Sequence, residues 1–180
     1  MAPSCINDFT PMLDMAIDEI NGPVAIRFPK DIAPDFDEYT FTKKGLDTIS
    51  YSGDDILILS IGRMAGICRK AYDILINSGY KVHLVNVGVI KPLNCIRLNE
   101  LLNKSVMAIT VEDNIISGGA GEYILSKADR TNKSKFINMG FNDSFIPQGK
   151  QYELFEKYDL TAEKIVETIK KELIQYEQQA

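Results

Sequence analysis

Six consecutive residues, 56–61 (ILILSI), constrain this chain more than any other feature. A strand with one face in water alternates apolar and polar side chains. A run that is apolar on both parities has to be covered on both faces, the situation of strands in a helix-sandwiched parallel sheet. The residues that follow can supply the cover. Residues 65–77 are expected to be helical, closed by Ser78-Gly79, and residues 81–87 read as a second strand. A short helix over 94–103, with Pro92 just before it, leads to a third strand at 106–111. A helix over 120–129 and a fourth strand at 136–139 come next. The last helix is expected over 162–176, with Thr161 as its N-cap and Ile165, Ile169, Leu173 and Tyr176 along one face. This alternation predicts an α/β fold: a mostly parallel sheet, helices on both faces and right-handed crossovers. In such folds the functional loops lie at the carboxyl ends of the strands.

The first third of the chain reads differently. Phe9, Leu13, Ala16, Ile17 and Ile20 recur at helical spacing. Pro11 is best placed at the first helical position with Thr10 as N-cap, where its missing N–H costs nothing. Asn21-Gly22-Pro23 ends that helix, and residues 24–28 form a short strand stopped by Pro29. One helix and one strand cannot bury their own faces. Residues 1–33 are therefore expected to be the tail of a preceding domain, 34–53 a linker with a weak strand-like stretch, and 54–180 a complete domain. A free-standing module of this kind would begin near residue 35.

Composition narrows the function class. A net charge of −5 and a pI near 5.0 offer no basic surface for nucleic acid. No apolar run approaches the length of a membrane span, and the start MAPSCINDF lacks the basic and apolar regions of a secretory signal. The three cysteines, Cys5, Cys68 and Cys95, form no C-x-x-C pair and are odd in number, which points to a reducing, cytoplasmic compartment.

Two phrases fall at strand ends: TVEDNIISGGAGE (110–122) and GFNDSFIPQGKQ (140–151). Glycines before a helix can cradle an anion on free backbone N–H groups. The spacing here fits neither a Walker loop nor a dinucleotide fingerprint, and Glu112, Asp113 and Glu122 would oppose a phosphate. The alternative is a tight turn that lets the helix pack closely. The segment Phe145-Ile146-Pro147-Gln148-Gly149 either closes the edge of the core or meets another domain or subunit. His83, the single histidine, lies inside a strand with no partner to complete a metal site, so a structural role is expected. Glu112 and Asp113 are neighbours on a strand and point to opposite faces, which makes them a poor acid–base pair. Arg27, in VAIRFPK, sits where α/β folds present active-site side chains, and its planar fork suits phosphate as well as a surface ion pair.

The ordered set of phrases APS, GPVAIRFPK, ILSIGRMAGICRKA, VNVGVIKPLN, TVEDNIISGGAGE and GFNDSFIPQG resembles the 1-deoxy-D-xylulose-5-phosphate synthases of the transketolase family across essentially the whole chain. The resemblance implies the tail of a pyrimidine-binding domain followed by a transketolase-type C-terminal domain. Enzymes of this kind join pyruvate to D-glyceraldehyde 3-phosphate with loss of CO2, using thiamine diphosphate and Mg²⁺, and work as homodimers in isoprenoid and thiamine synthesis. Their cofactor-binding motifs lie upstream of the matched region. No catalytic, cofactor-binding or metal-binding residue is therefore expected here, and this piece alone is expected to be structural and inactive. One role carries over by position: Arg27 matches the arginine that binds the phosphate of the aldehyde substrate. The family phrase is departed from at Phe28, Lys30 and Asp31. The alternatives are a free-standing binding or regulatory module of the same type, or a subunit of another thiamine-diphosphate enzyme.

Overall fold

The computed structural model describes residues 1–29, 34–36 and 39–178. Its centre is a five-stranded sheet in the order β1-β3-β2-β4-β5. The strands are β1 (Asp47–Tyr51), β2 (Ile56–Ser60), β3 (Val82–Asn86), β4 (Met107–Ile115) and β5 (Lys135–Phe141). β2, β3, β4 and β5 are parallel, and β1 runs antiparallel along the free edge of β3. The run ILILS is the central strand, and all five of its residues are buried.

Side-chain alternation divides the core in two. Ile56 and Ile58 of β2, Val82 and Leu84 of β3, and Met107, Ile109 and Val111 of β4 face one side. There they meet α2 (Met64–Asn77) and α6 (Ala162–Glu177). Leu57, Leu59, Val85 and Ala108 face the other side, toward α3 (Cys95–Lys104) and Ile124 of α4 (Ala120–Leu125). The helices thus cover both faces, as the unbroken apolar strand requires. Thr161 caps α6 by accepting from Lys164 N (3.3 Å), and Asn94 caps α3 by accepting from Arg97 N (3.1 Å).

Several local expectations change. The helix α1 spans Ile6–Asp14, starting four residues ahead of Thr10, and carries Pro11 inside it. It continues as a π-helical turn, Met15–Glu19. The earlier start has a clear cause. Asp8 reaches back to accept from Ser4 N (2.9 and 3.1 Å) and Cys5 N (3.1 Å), satisfying backbone donors that a helix start leaves open. Residues 24–28 do not join the sheet. They run beside the N-terminus, with Met1 N donating to Ala25 O (2.7 Å) and Arg27 N donating to Met1 O (2.9 Å). The strand-like stretch inside the expected linker is β1. A further helix, α5 (Gln151–Lys157), follows the FIPQG segment. Lys30 and Asp31 lie outside the described residues.

Residues 1–29 rest on the carboxyl end of β3. Ala2 N donates to Gly88 O (2.8 Å), and Met12 is fully buried. The Asp8 carboxylate is also fully buried. It accepts from Ser4 Oγ (2.8 Å) and Asn86 Nδ2 (3.0 Å), and Tyr39 Oη lies 3.4 Å away while accepting from Asn86 Nδ2 at 2.7 Å. Burial of that ring pushes the Tyr39 hydroxyl pKa far up, so it stays protonated. Replacing Asp8 with Ala would strand the buried Ser4 and Cys5 amides and leave the Asn86 amide with its bond to Tyr39 alone. The expected loss is roughly 2–4 kcal/mol in urea unfolding. A loss of a few tenths would show that the cluster is not a structural lock.

Candidate functional site

The strand order places the switch point of the sheet between β2 and β4, because the chain leaves β2 for β3 on one side and then crosses to β4 on the other. The crevice outside the carboxyl ends at such a point is where ligands bind in open α/β sheets. Here it is lined by the residues that leave those two strands. Gly62, at φ +57°, turns the chain after β2 and delivers Arg63 to the start of α2. From β4 come Glu112 and Asp113.

The two acids part as their strand positions require. Glu112 turns to the α4 side and is 2% exposed. It accepts from Ala120 N (2.9 Å) and Gly121 N (2.8 Å). The amides that could have made the glycine loop an anion site are therefore occupied by a carboxylate from the same chain. Burial pushes the Glu112 pKa up, against the pull of these two bonds. The glycines are sized for this packing. A Cβ on Gly119 would strike the Ile115 carbonyl and the Glu112 carboxylate, and one on Gly121 would strike Thr110 Oγ1 and Asn138 Oδ1. The tight-turn reading of the loop is the one the geometry matches.

Asp113 turns the opposite way and meets Arg27, the residue singled out in the sequence. Arg27 Nη1 donates to Asp113 Oδ1 (2.8 Å) and Nη2 to the Asp113 carbonyl (3.0 Å). The Arg27 side chain remains 52% exposed while Asp113 is 12% exposed. Arg63 Nε lies 4.0 Å from Asp113 Oδ2, so the carboxylate stands between two guanidinium groups. Arg27, Phe28, Pro29, Gly62, Arg63 and Asp113 enclose a cleft of about 240 Å³. An apolar hollow of about 950 Å³ adjoins it and shares Phe28, Pro29 and Arg63. Sequence reasoning missed Arg63 and the role of Asp113. The signal was present in IGR, a glycine and an arginine directly after the central strand.

His83 is buried inside β3. Its Nε2 lies 2.8 Å from Thr48 Oγ1, its Nδ1 3.3 Å from Asp54 Oδ1, and its ring packs edge-on against Tyr51. Burial lowers its pKa, outweighing the nearby Asp54. Among the described residues, no group of three or more His, Cys, Asp or Glu side chains could hold a metal ion. Phe145 of the FIPQG segment is fully exposed.

Comparison with known proteins places these features. The family described as "Transketolase, C-terminal domain" matches residues 48–165. A 1-deoxy-D-xylulose-5-phosphate synthase of Clostridium tetani is 32% identical over 173 residues, 95% of this chain and 28% of its own length. The synthase of Clostridium botulinum strain Alaska E43 is 36% identical over 176 residues, again 95% and 28%. The chain thus spans little more than a quarter of the curated relatives it matches. Among solved structures, a split-gene transketolase described as an inactive β4 tetramer has a TM-score of 0.85 at 24% identity, covering 94% of this chain and 56% of that one. A Pichia stipitis transketolase mutant has a TM-score of 0.75 at 20% identity, covering 98% and 25%.

Two stability predictions follow from this geometry. Gly121→Ala forces a methyl group against Thr110 and Asn138 and is expected to cost about 1–3 kcal/mol in chemical unfolding; an unchanged midpoint would mean that α4 does not sit this close to the sheet. For His83 the folded pKa lies below the unfolded one, so its contribution is fully present above the unfolded value and is lost as pH falls below that value and through the folded one. Stability should drop as pH falls below about 6.5, and His83→Gln should flatten that drop in paired urea titrations.

Proposed function

The chain belongs to the transketolase C-terminal domain family, and on that premise we propose that it is the C-terminal part of a 1-deoxy-D-xylulose-5-phosphate synthase. The whole enzyme would join pyruvate to D-glyceraldehyde 3-phosphate with release of CO2. The matches that carry the name cover 95% of this chain. In this reading residues 1–33 close the pyrimidine-binding domain, and 54–180 form the C-terminal domain together with β1, which the stretch 34–53 contributes to its sheet.

Thiamine diphosphate would supply the carbanion equivalent in that enzyme, with Mg²⁺ holding its diphosphate. The described residues do not fit either group. The glycine-loop amides are taken by Glu112, His83 is enclosed by Thr48, Tyr51 and Asp54, and no acidic cluster converges on a metal. Those donors are assigned to the remainder of the enzyme. What this chain contributes to the reaction is the grip on the aldehyde's phosphate through Arg27. The single observation that carries this role is the placement of a half-exposed guanidinium at the sheet's switch point. Asp113 engages two of its five N–H donors, which leaves three for an anion.

The enzyme is further proposed to be a cytoplasmic homodimer. The three free cysteines suit a reducing compartment. The fully exposed Phe145, beside Pro147 in the FIPQG segment, suits contact with a second surface.

In the full-length enzyme, Arg27→Ala is expected to raise the KM for D-glyceraldehyde 3-phosphate about tenfold or more, the worth of a charged hydrogen bond, with little change for pyruvate. Equal effects on both substrates would remove the phosphate-binding role. The 180-residue chain, folded and supplied with both substrates, thiamine diphosphate and Mg²⁺, should form no product. Turnover above background would place a cofactor site within it.

A further inference from the structure

His83 lies near the amino ends of the parallel strands, away from the cleft at Arg27, and its ring joins a hydroxyl to a carboxylate. We propose that Thr48, His83 and Asp54 form a second reactive site. In it Thr48 is the nucleophile toward small activated acyl esters, His83 is its general base and Asp54 is the positioning carboxylate. This site is independent of the phosphate role of Arg27.

The spacing of the three groups comes first. Thr48 Oγ1 lies 2.8 Å from His83 Nε2, and His83 Nδ1 lies 3.3 Å from Asp54 Oδ1. A nucleophile in reach of a base that is itself oriented by a third group is the arrangement that activates a hydroxyl. With Asp54 accepting from Nδ1–H, the lone pair of Nε2 is left to take the Thr48 proton. Tyr51 holds the far end. Its Oη donates to Asp54 Oδ2 (2.9 Å), and its ring packs edge-on against the imidazole, 4.9 Å between centres.

The backbone is shaped for this meeting. Thr48 and Tyr51 are three residues apart and would face opposite sides of a regular strand. Both reach His83 because the pairing of β1 with β3 shifts register between Thr48 and Ser50. Irregularities of this kind re-aim side chains and gather next to active sites. Access completes the arrangement. Thr48 is exposed while His83 is buried, so an ester can reach the hydroxyl while the base stays out of water. Burial keeps the imidazole in its basic form against the pull of Asp54, and Arg97 and Lys104 of α3 act in the same direction as burial. Tyr51, also exposed, offers an aromatic surface for a flat ester.

The reaction has two steps. Thr48 Oγ adds to the ester carbonyl carbon as its proton passes to His83 Nε2. The bond to the leaving oxygen then breaks, the alcohol departs with that proton, and the acyl group stays on Thr48. Water, giving a proton to Nε2, next attacks the acyl-threonine. The carboxylic acid leaves and Thr48 Oγ recovers its proton.

The test uses the 180-residue chain and 4-nitrophenyl acetate. Release of 4-nitrophenol is followed by absorbance, the acetylated residue is located by peptide mass spectrometry, and circular dichroism reports the fold of each variant. The native chain should carry a hydroxylamine-labile acetyl group on Thr48. Its rate should be half-maximal below about pH 6.5, the ordinary histidine value. Thr48→Val and His83→Gln should each slow release about a hundredfold, and Thr48→Ser should retain it. Asp54→Asn should slow release and move the half-maximal pH down.

Acetyl groups on lysines alone, or a native rate in Thr48→Val, would overturn Thr48 as the nucleophile. A native rate in His83→Gln would remove the base. A rate no greater than that of the unfolded chain would overturn the site as a whole. The location of the label is read on the native chain, so this outcome stands even where a variant fails to fold.

Discussion

Successive side chains on a strand point to opposite faces, and at the end of β4 that rule decides what each part of the site can be. Glu112 must go to the α4 side and Asp113 to the α2 side. Glu112 then satisfies the open amides at the start of α4, and this draws the helix down until glycine is the residue that fits at 119 and 121. Asp113 collects Arg27 from the N-terminal segment and stands beside Arg63. Had the order of parity been reversed by one residue, the helix would lose its cap and the arginines their carboxylate. The spacing of the phrase TVEDN relative to GGAG is thus a packing requirement on one face and a site requirement on the other.

The sheet was legible because its signal is local. A run apolar on both parities admits few environments, and the helices that cover it announce themselves by spacing and caps, as Asn94 and Thr161 do. The edges were harder. β1 alternates buried and exposed residues and gains its ladder only by pairing antiparallel with β3, a contact some 35 positions away in sequence (Thr48 beside His83). The α1 start was misjudged for a related reason. Pro11 dominated the local reading, while the decisive group was Asp8, whose carboxylate gathers Ser4, Cys5 and the distant Asn86.

The candidate site was legible in part. Arg27 stood out through its position after a short apolar stretch, and the antagonism between the glycine loop and its acidic neighbours argued against a phosphate there. The structure supplies the physical form of that antagonism: the anion on the loop is Glu112 itself. Arg63 was invisible because an arginine at the start of a helix is ordinary, and only the fold shows that the strand before it borders the switch point. Its partners Gln151 and Phe155 come from α5, a helix that sequence periodicity did not disclose.

Arg27 is positioned without being part of the sheet, and this sets how the site must be held. Its backbone N–H rests on Met1 O, the next residue, Ala2, donates to Gly88 beyond β3, and the buried Asp8 fixes the turn that follows by binding Asn86 at the end of β3. The arginine is therefore registered to the sheet through a relay of backbone bonds anchored by one desolvated carboxylate. A buried carboxylate of this kind contributes little net stability compared with a well-packed apolar group, but it is directional, and losing any of its donors leaves charge stranded. Such an anchor suits a place where two segments must meet at a fixed angle, since apolar contacts alone would permit sliding. Asp113 then grips the guanidinium from the sheet side, so both ends of Arg27, backbone and head group, are tied to neighbouring strands on either side of β2.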